Sequence, residues 1–180
     1  ELYLNFIQST NATIIISARW RLQMEGPRFN NQEGGVEYGS NAANTVIDSK
    51  TDIFEYVEEF FINASTKNQL IIINQIPEAG WNVPDRSVRI KKLYNGDYDI
   101  STSYDLYKKS NLSVNNIFSN LQRNPRISIV RSDDIVCNTK LAGRCLNTFN
   151  GDLLYRDDDH PSPIYASLIV NKIEDSISNQ

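Results

Sequence analysis

The feature that most constrains this chain is the spacing of its β-branched apolar runs. Three stand out: TIIISARW (Thr13 to Trp20), QLIIINQI (Gln69 to Ile76) and RISIV (Arg126 to Val130). Each is short for a helix, and continuous apolar runs of this length read as strands covered on both faces. Segments with helical spacing separate them. Thr51 to Ala64 sets Ile53, Phe54, Val57, Phe60 and Phe61 on one stripe, and its acidic start suits a helix N-terminus. Around Ser103 to Leu121 the residues Tyr104, Tyr107, Ile117, Phe118 and Leu121 predict a helix broken or bent near Asn111. A last helix is predicted from about Pro161 to Ile177, burying Ile164, Leu168, Ile169 and Ile173. Strand–helix alternation of this kind predicts an α/β fold, a three-layer doubly wound parallel sheet with helices on both faces. The stretch from Gly26 to Asn44 and the segment PEAGWNVPDR read as loops.

In open sheets of this class, ligands collect at the carboxyl ends of the strands. The loops after Trp20 and after Ile76, and the one bearing Asp157 and His160, therefore share one rim. At 180 residues, 40% apolar and without an internal repeat, the chain (1–180) suits one domain. A net charge of −4, with the basic residues scattered, gives no electrostatic case for nucleic acid or an anionic membrane. No apolar run reaches transmembrane length. The chain opens at Glu1 with neither methionine nor leader and reads as a fragment of a longer protein, so a missing leader does not fix location. Three N-x-S/T triplets, at Asn11, Asn63 and Asn111, are what chance allows in an Asn-rich chain.

Two further features carry chemistry. Cys137 and Cys145 flank the turn-rich NTKLAGR, and spacing admits either a small-loop disulfide or two unrelated thiols. The segment LYRDDDHPSP holds the only histidine, His160, three residues after Asp157. Three readings stay open there. Pro161 begins a helix and the aspartates complement its dipole. Alternatively His160 and an aspartate ligate a metal, although no second histidine completes the donor set. Or Asp157 holds the imidazole through Nδ1–H, leaving Nε2 to accept a proton from a serine.

Taken in order, IIISARW, LIIINQIPEAGWNVP, and C-x7-C followed by LLYRDDDHPSPIYASLIVNKI resemble one family over nearly the whole chain. It is the SGNH hydrolase-like domain, flavodoxin-like in layering, fused to membrane acyltransferase-3 proteins that O-acylate bacterial surface polysaccharides. The resemblance implies an acyltransferase domain in the periplasm, joined to a membrane acyltransferase domain upstream. It implies His160 as general base, Asp157 as its orienter, and a Cys137–Cys145 disulfide. A polysaccharide or glycolipid acceptor is implied, with no metal or soluble cofactor. The family's Gly-Asp-Ser nucleophile motif does not occur here; the nearest echo is Gly39-Ser40. The first strand and its serine are therefore expected upstream of Glu1 or lost, and these 180 residues alone are expected to be inactive. Ser17-Ala18-Arg19-Trp20 stands where the family places a Gly-x-Asn-Asp oxyanion segment. Arg19 is accordingly either an oxyanion donor or structural, with Trp20 a core aromatic. Trp81 either lines an acceptor-sugar groove or packs under its loop. Tyr155 is expected beside the catalytic turn, and Asp158 and Asp159 at the helix start. A glycan O-acetyl esterase and a non-catalytic glycan-binding module are the alternatives.

Overall fold

The segment QLIII forms β2 (Gln69–Ile73), the middle strand of the main sheet. The structure, a computed structural model, describes residues 7, 11–39, 50–95 and 98–178, with 50–52 described by backbone alone. Parallel partners flank β2: β1 (Thr13–Ile16) with Ile15 opposite Ile71, and β4 (Ile127–Val130) with Ile72 opposite Ile129. Successive side chains of a strand point to opposite faces, and here each face builds its own core. Leu70 and Ile72 join Trp20, Phe61, Val114, Phe118 and Ile127, while Ile71 and Ile73 join Val83, Tyr107, Tyr155, Tyr165 and Ile169. The first core is supplied by α1 (Trp20–Glu25), α2 (Lys50–Ala64) and α5 (Leu112–Leu121). The second draws on α3 (Val83–Tyr94), α4 (Tyr104–Ser110), α6 (Asp133–Val136) and α7 (Pro163–Ser178). Helices on both faces of a parallel sheet are thus what forms. The described residues also form two antiparallel pairs: β3 (Ser101–Ser103) with β5 (Arg144–Leu146), and β6 (Thr148–Phe149) with β7 (Asp152–Leu153). Among the described residues no helix is long and apolar enough to cross a membrane.

Several boundaries differ from the sequence expectations. β1 ends at Ile16 and β2 at Ile73, so Ser17 to Arg19 and Asn74 to Ile76 are rim loops rather than strand. Asn74 explains the second stop. Its Oδ1 accepts from the backbone N–H and hydroxyl of Ser132, and its Nδ2 donates to buried Asp133 at 2.6 Å. The amide thereby ties the end of β2 to the turn after β4. PEAGWNVPDR is not wholly loop, because α3 starts inside it: the Asn82 side chain caps the N–H of Asp85 and Pro84 sits in the first turn. The expected break near Asn111 is where α4 and α5 meet, with Asn111 buried.

The last helix begins at Pro163, not Pro161. Pro161 instead bridges to Tyr155, and Ser162 Oγ accepts from Tyr165 N–H. Its buried stripe is Tyr165, Ile169 and Ile173, while Ile164 and Leu168 are exposed. The expected Gly26–Asn44 surface loop buries Phe29, Asn31 and Glu37; beyond Gly39 it lies outside the described residues.

A disulfide joins Cys137, at the end of α6, to Cys145 in β5. Replacing both cysteines by serine is expected to lower stability by about 2–3 kcal/mol through the freed chain entropy, read by chemical denaturation. An unchanged transition would show that the antiparallel backbone bridge between Cys137 and Cys145, with Asn138 N–H donating to the Arg144 carbonyl, closes this loop unaided.

Candidate active site

The turn holding Asp157 to His160 is closed by its own backbone and clamped from both sides. Arg156 N–H donates to the His160 carbonyl at 2.9 Å, and Ser162 N–H donates to the Leu154 carbonyl. Tyr155, fully buried, donates its hydroxyl to the Pro77 carbonyl at 2.6 Å and anchors the turn to the loop after β2. The N–H groups of Ala79 and Gly80 donate to the Asp158 carbonyl, and Val83 N–H donates to that of Asp157. On the other side, Tyr38 N–H donates to the Asp158 carboxylate at 3.1 Å.

Within this frame the Asp157 carboxylate accepts from the backbone N–H of both Asp159 and His160. It also lies 2.9 Å from His160 Nδ1. Partial burial works to raise the Asp157 carboxyl, but those two N–H groups and the imidazole outweigh it and hold the group below its ordinary value. The imidazole side chain is 67% exposed. With Nδ1 directed at carboxylate, Nε2 is the nitrogen left to exchange protons with a substrate or nucleophile.

His160 lines a cavity of about 210 Å³ at the carboxyl ends of β1 and β2, together with Ser17, Arg19, Gln75, Glu78 and Asp159. Arg19, beside it, is the hub of a carboxylate cluster. Its Nη2 lies 2.5 Å from Glu37 and 2.7 Å from Glu78, and its Nη1 lies 2.9 Å from Asp159. All three carboxylates are buried. Arg28 also pairs with Glu37, and Arg21 approaches Glu78 at 4.0 Å. Burial raises the Glu78 carboxyl even against Arg19. Burial opposes ionisation of Glu37 too, but hydrogen bonds from Arg19, Phe29 N–H and Arg28 bring it below its ordinary value. Burial pushes Asp159 up to about 7 despite Arg19 and His160.

Asp157, His160 and Arg19 are therefore brought together on the expected rim. Arg19 has both terminal nitrogens on carboxylates, and Trp20 is buried between Phe61 and Phe118 in edge-on contacts. Trp81 is not among the described residues lining the cavity. It packs under its loop: a side chain on Gly35 would meet its ring at 2.8 Å, and the Arg86 guanidinium sits 4.7 Å over that ring. Asp158 and Asp159 precede the last helix by several residues, so they do not serve its N-terminus. Of the Gly39-Ser40 echo, Ser40 lies outside the described residues.

Residues that spacing did not single out are Ser17, Glu37 and Glu78. For Glu37 and Glu78 the available signal was charge in otherwise apolar or glycine-rich surroundings; Ser17 carries no charge and offered none. Two groups bring potential metal-ligand atoms within 4.8 Å of one another: Asp157, Asp159 and His160, and Glu37, Asp158 and Asp159. Arg19 already supplies the positive charge that buried Glu37 and Asp159 require.

Comparison with the curated proteins finds no match. Among solved structures the chain is similar to the periplasmic domain of the lipopolysaccharide acetyltransferase of Salmonella ser. Paratyphi A, with 12% identity and a TM-score of 0.63. The alignment covers 97% of this chain but 60% of that one, so the two share a fold while this chain spans a part of the other's length. The sequence matches the family described as "SGNH domain (fused to AT3 domains)" over residues 1–175. A match of that extent, on a parallel α/β sheet with an Asp-x-x-His turn at its carboxyl rim, settles the family: this chain belongs to the SGNH domains that are fused to AT3 domains.

Proposed function

We propose that this chain is the extracytoplasmic domain of a membrane O-acyltransferase, passing an acyl group, acetyl in the first instance, by way of a serine to a sugar hydroxyl of a surface polysaccharide or glycolipid. The observation that carries this reading is the Asp157–His160 pair, with carboxylate on Nδ1 and an exposed ring at the mouth of a cavity. Family membership supports acyl transfer and a fused membrane partner, and the disulfide suits an oxidising compartment.

In this reading His160 Nε2 takes the serine proton as the serine oxygen attacks the acyl carbonyl of the donor. It returns that proton to the leaving group as the acyl–serine ester forms. In the second half the sugar hydroxyl gives its proton to Nε2 and attacks the ester, and the serine leaves with that proton. Asp157 keeps the ring in the Nδ1–H tautomer and stabilises the imidazolium formed in each half. Neither half calls for a metal or a soluble cofactor. The fused membrane portion delivers the donor.

The serine comes from polypeptide outside these 180 residues, on a strand that pairs with the outer edge of β1. Among the described residues β1 is paired on one side only, and Ile15 is half exposed. Comparing the 180 residues alone with the same chain carrying its upstream segment tests this. Acyl-ester turnover is expected only with the segment present. Turnover by the 180 residues alone, lost on His160→Ala, would contradict the upstream serine, and Ser17→Ala would be the next variant. Product analysis with and without a glycan acceptor separates transfer from hydrolysis.

A further inference from the structure

Asp157 is not the sole carboxylate on the imidazole. Asp159 Oδ1 lies 3.0 Å from His160 Nδ1, against 2.9 Å for the nearer oxygen of Asp157. The two differ in setting. The Asp157 side chain is 39% exposed and that of Asp159 is 5% exposed. Ionising a carboxylate so deeply placed is costly, and it persists only with partners that repay the desolvation. Its other oxygen, buried without a hydrogen bond, is paired by charge with Arg19 Nη1 at 2.9 Å. Arg19 is in turn fixed by Glu37 and Glu78, which belong to the loop after α1 and the loop after β2. The helix-start explanation for Asp159 is gone, since α7 begins at Pro163 and is capped by Ser162.

We propose that Asp159 is a second positioning residue for His160, a buried carboxylate at ion-pairing distance from Nδ1 beside the hydrogen-bonded Asp157, linking the ring through Arg19 to the rim loops at the ends of β1 and β2. The side-chain contacts of Asp157 all lie within the turn that carries both aspartates and His160. Asp159 instead refers the ring to the buried cluster at the cavity wall. The arrangement aims Nε2 relative to the strand ends and not merely relative to its own turn. This inference rests on the proposed role of His160 as the proton acceptor.

Because His160 is the only histidine, its ring nitrogens give unambiguous ¹⁵N signals in the 180-residue chain. The neutral ring is expected to be predominantly the Nδ1–H tautomer in the unaltered protein. Asp159→Asn is expected to shift it measurably toward Nε2–H with Asp157 in place, and Asp159→Glu to recover part of the shift. A merely structural Asp159 would leave the tautomer unchanged, and ring shifts matching the unaltered protein in Asp159→Asn would overturn the proposal. Asp157→Asn separates the two levels. If it moves the tautomer while Asp159→Asn does not, only the inference fails; if neither moves it, the pairing behind the proposed function fails as well. Should the Asp159 variants not fold, a crystal structure of the unaltered protein decides. Nδ1 within hydrogen-bond reach of both carboxylates supports the proposal, and Asp157 alone within reach overturns it.

Discussion

Replacing Arg19 with methionine is expected to lower the unfolding free energy at neutral pH by about 3–5 kcal/mol, the range for stranding the partner of a buried ion pair. The isostere keeps the apolar stem packed, so the loss reports the charge. Without the guanidinium, Glu37, Glu78 and Asp159 crowd one buried site, with Arg28 and Arg21 left to neutralise them from the margins. The loss depends on pH in a defined direction. Asp159 in the folded protein is raised to about 7, chiefly by burial, and Glu78 is raised for the same reason. Such carboxyls bind protons more tightly when folded, so their contribution to stability is greatest in acid and falls as pH rises through the folded value. Glu37 is lowered and acts oppositely: its contribution is present above its unfolded value and lost as pH falls. Removing Arg19 raises all three. The variant's stability should therefore fall more steeply with rising pH, and its deficit should shrink toward acid, where the carboxyls are protonated in both proteins. Denaturation at pH 5 and pH 8 measures this. A deficit independent of pH would mean that the loss does not come from the three carboxylates.

The second large effect is catalytic. Asp157→Asn is expected to lower acyl transfer by about 10²–10⁴-fold in the protein carrying its nucleophile, while leaving the fold intact. An amide keeps an oxygen for the N–H groups of Asp159 and His160, which preserves the turn. It no longer offers the ring a charge, and its N–H can face Nδ1. The proton then settles on Nε2, where it blocks acceptance of the serine proton. The depressed Asp157 carboxyl stays ionised through the neutral range, so the unaltered protein should lose this support only in acid, as pH falls through that depressed value. Stability should change little because the carboxylate is partly exposed.

Much of this architecture is written locally. The isoleucine runs fall within β1 and β2 because β-branched side chains fit a pleated surface; β2 is buried on both faces, whereas β1, expected to be covered likewise, leaves Ile15 half exposed. Where the strands stop is written elsewhere, in Ser132 and Asp133, which take up Asn74 from almost sixty residues away. Helix α3 was invisible to periodicity for a physical reason. Its twelve residues bury only Val83, so no apolar stripe repeats, and the readable sign was the cap at Asn82 with Pro84 behind it. In α7 the apolar residues are so dense that spacing admits several faces; Tyr165 marks the true one because its hydroxyl reaches the Ser132 carbonyl.

At the site, the pairing of Asp157 with His160 is a three-residue relation that spacing offered as one of three readings, and the family resemblance pointed to it. The role of Asp159 could not be read from spacing, since it depends on Arg19, brought in from 140 positions away by the sheet. Arg19 itself was legible as a rim residue. What spacing missed was that three buried carboxylates already surround it.

The most direct measurement of the central claim is acyl transfer to a glycan acceptor by the protein with its upstream segment, comparing the unaltered chain with His160→Ala. The account predicts that acylated glycan forms in the first and falls by about 10²–10⁴-fold in the second, with both proteins folded. Equal yields from the two would contradict it.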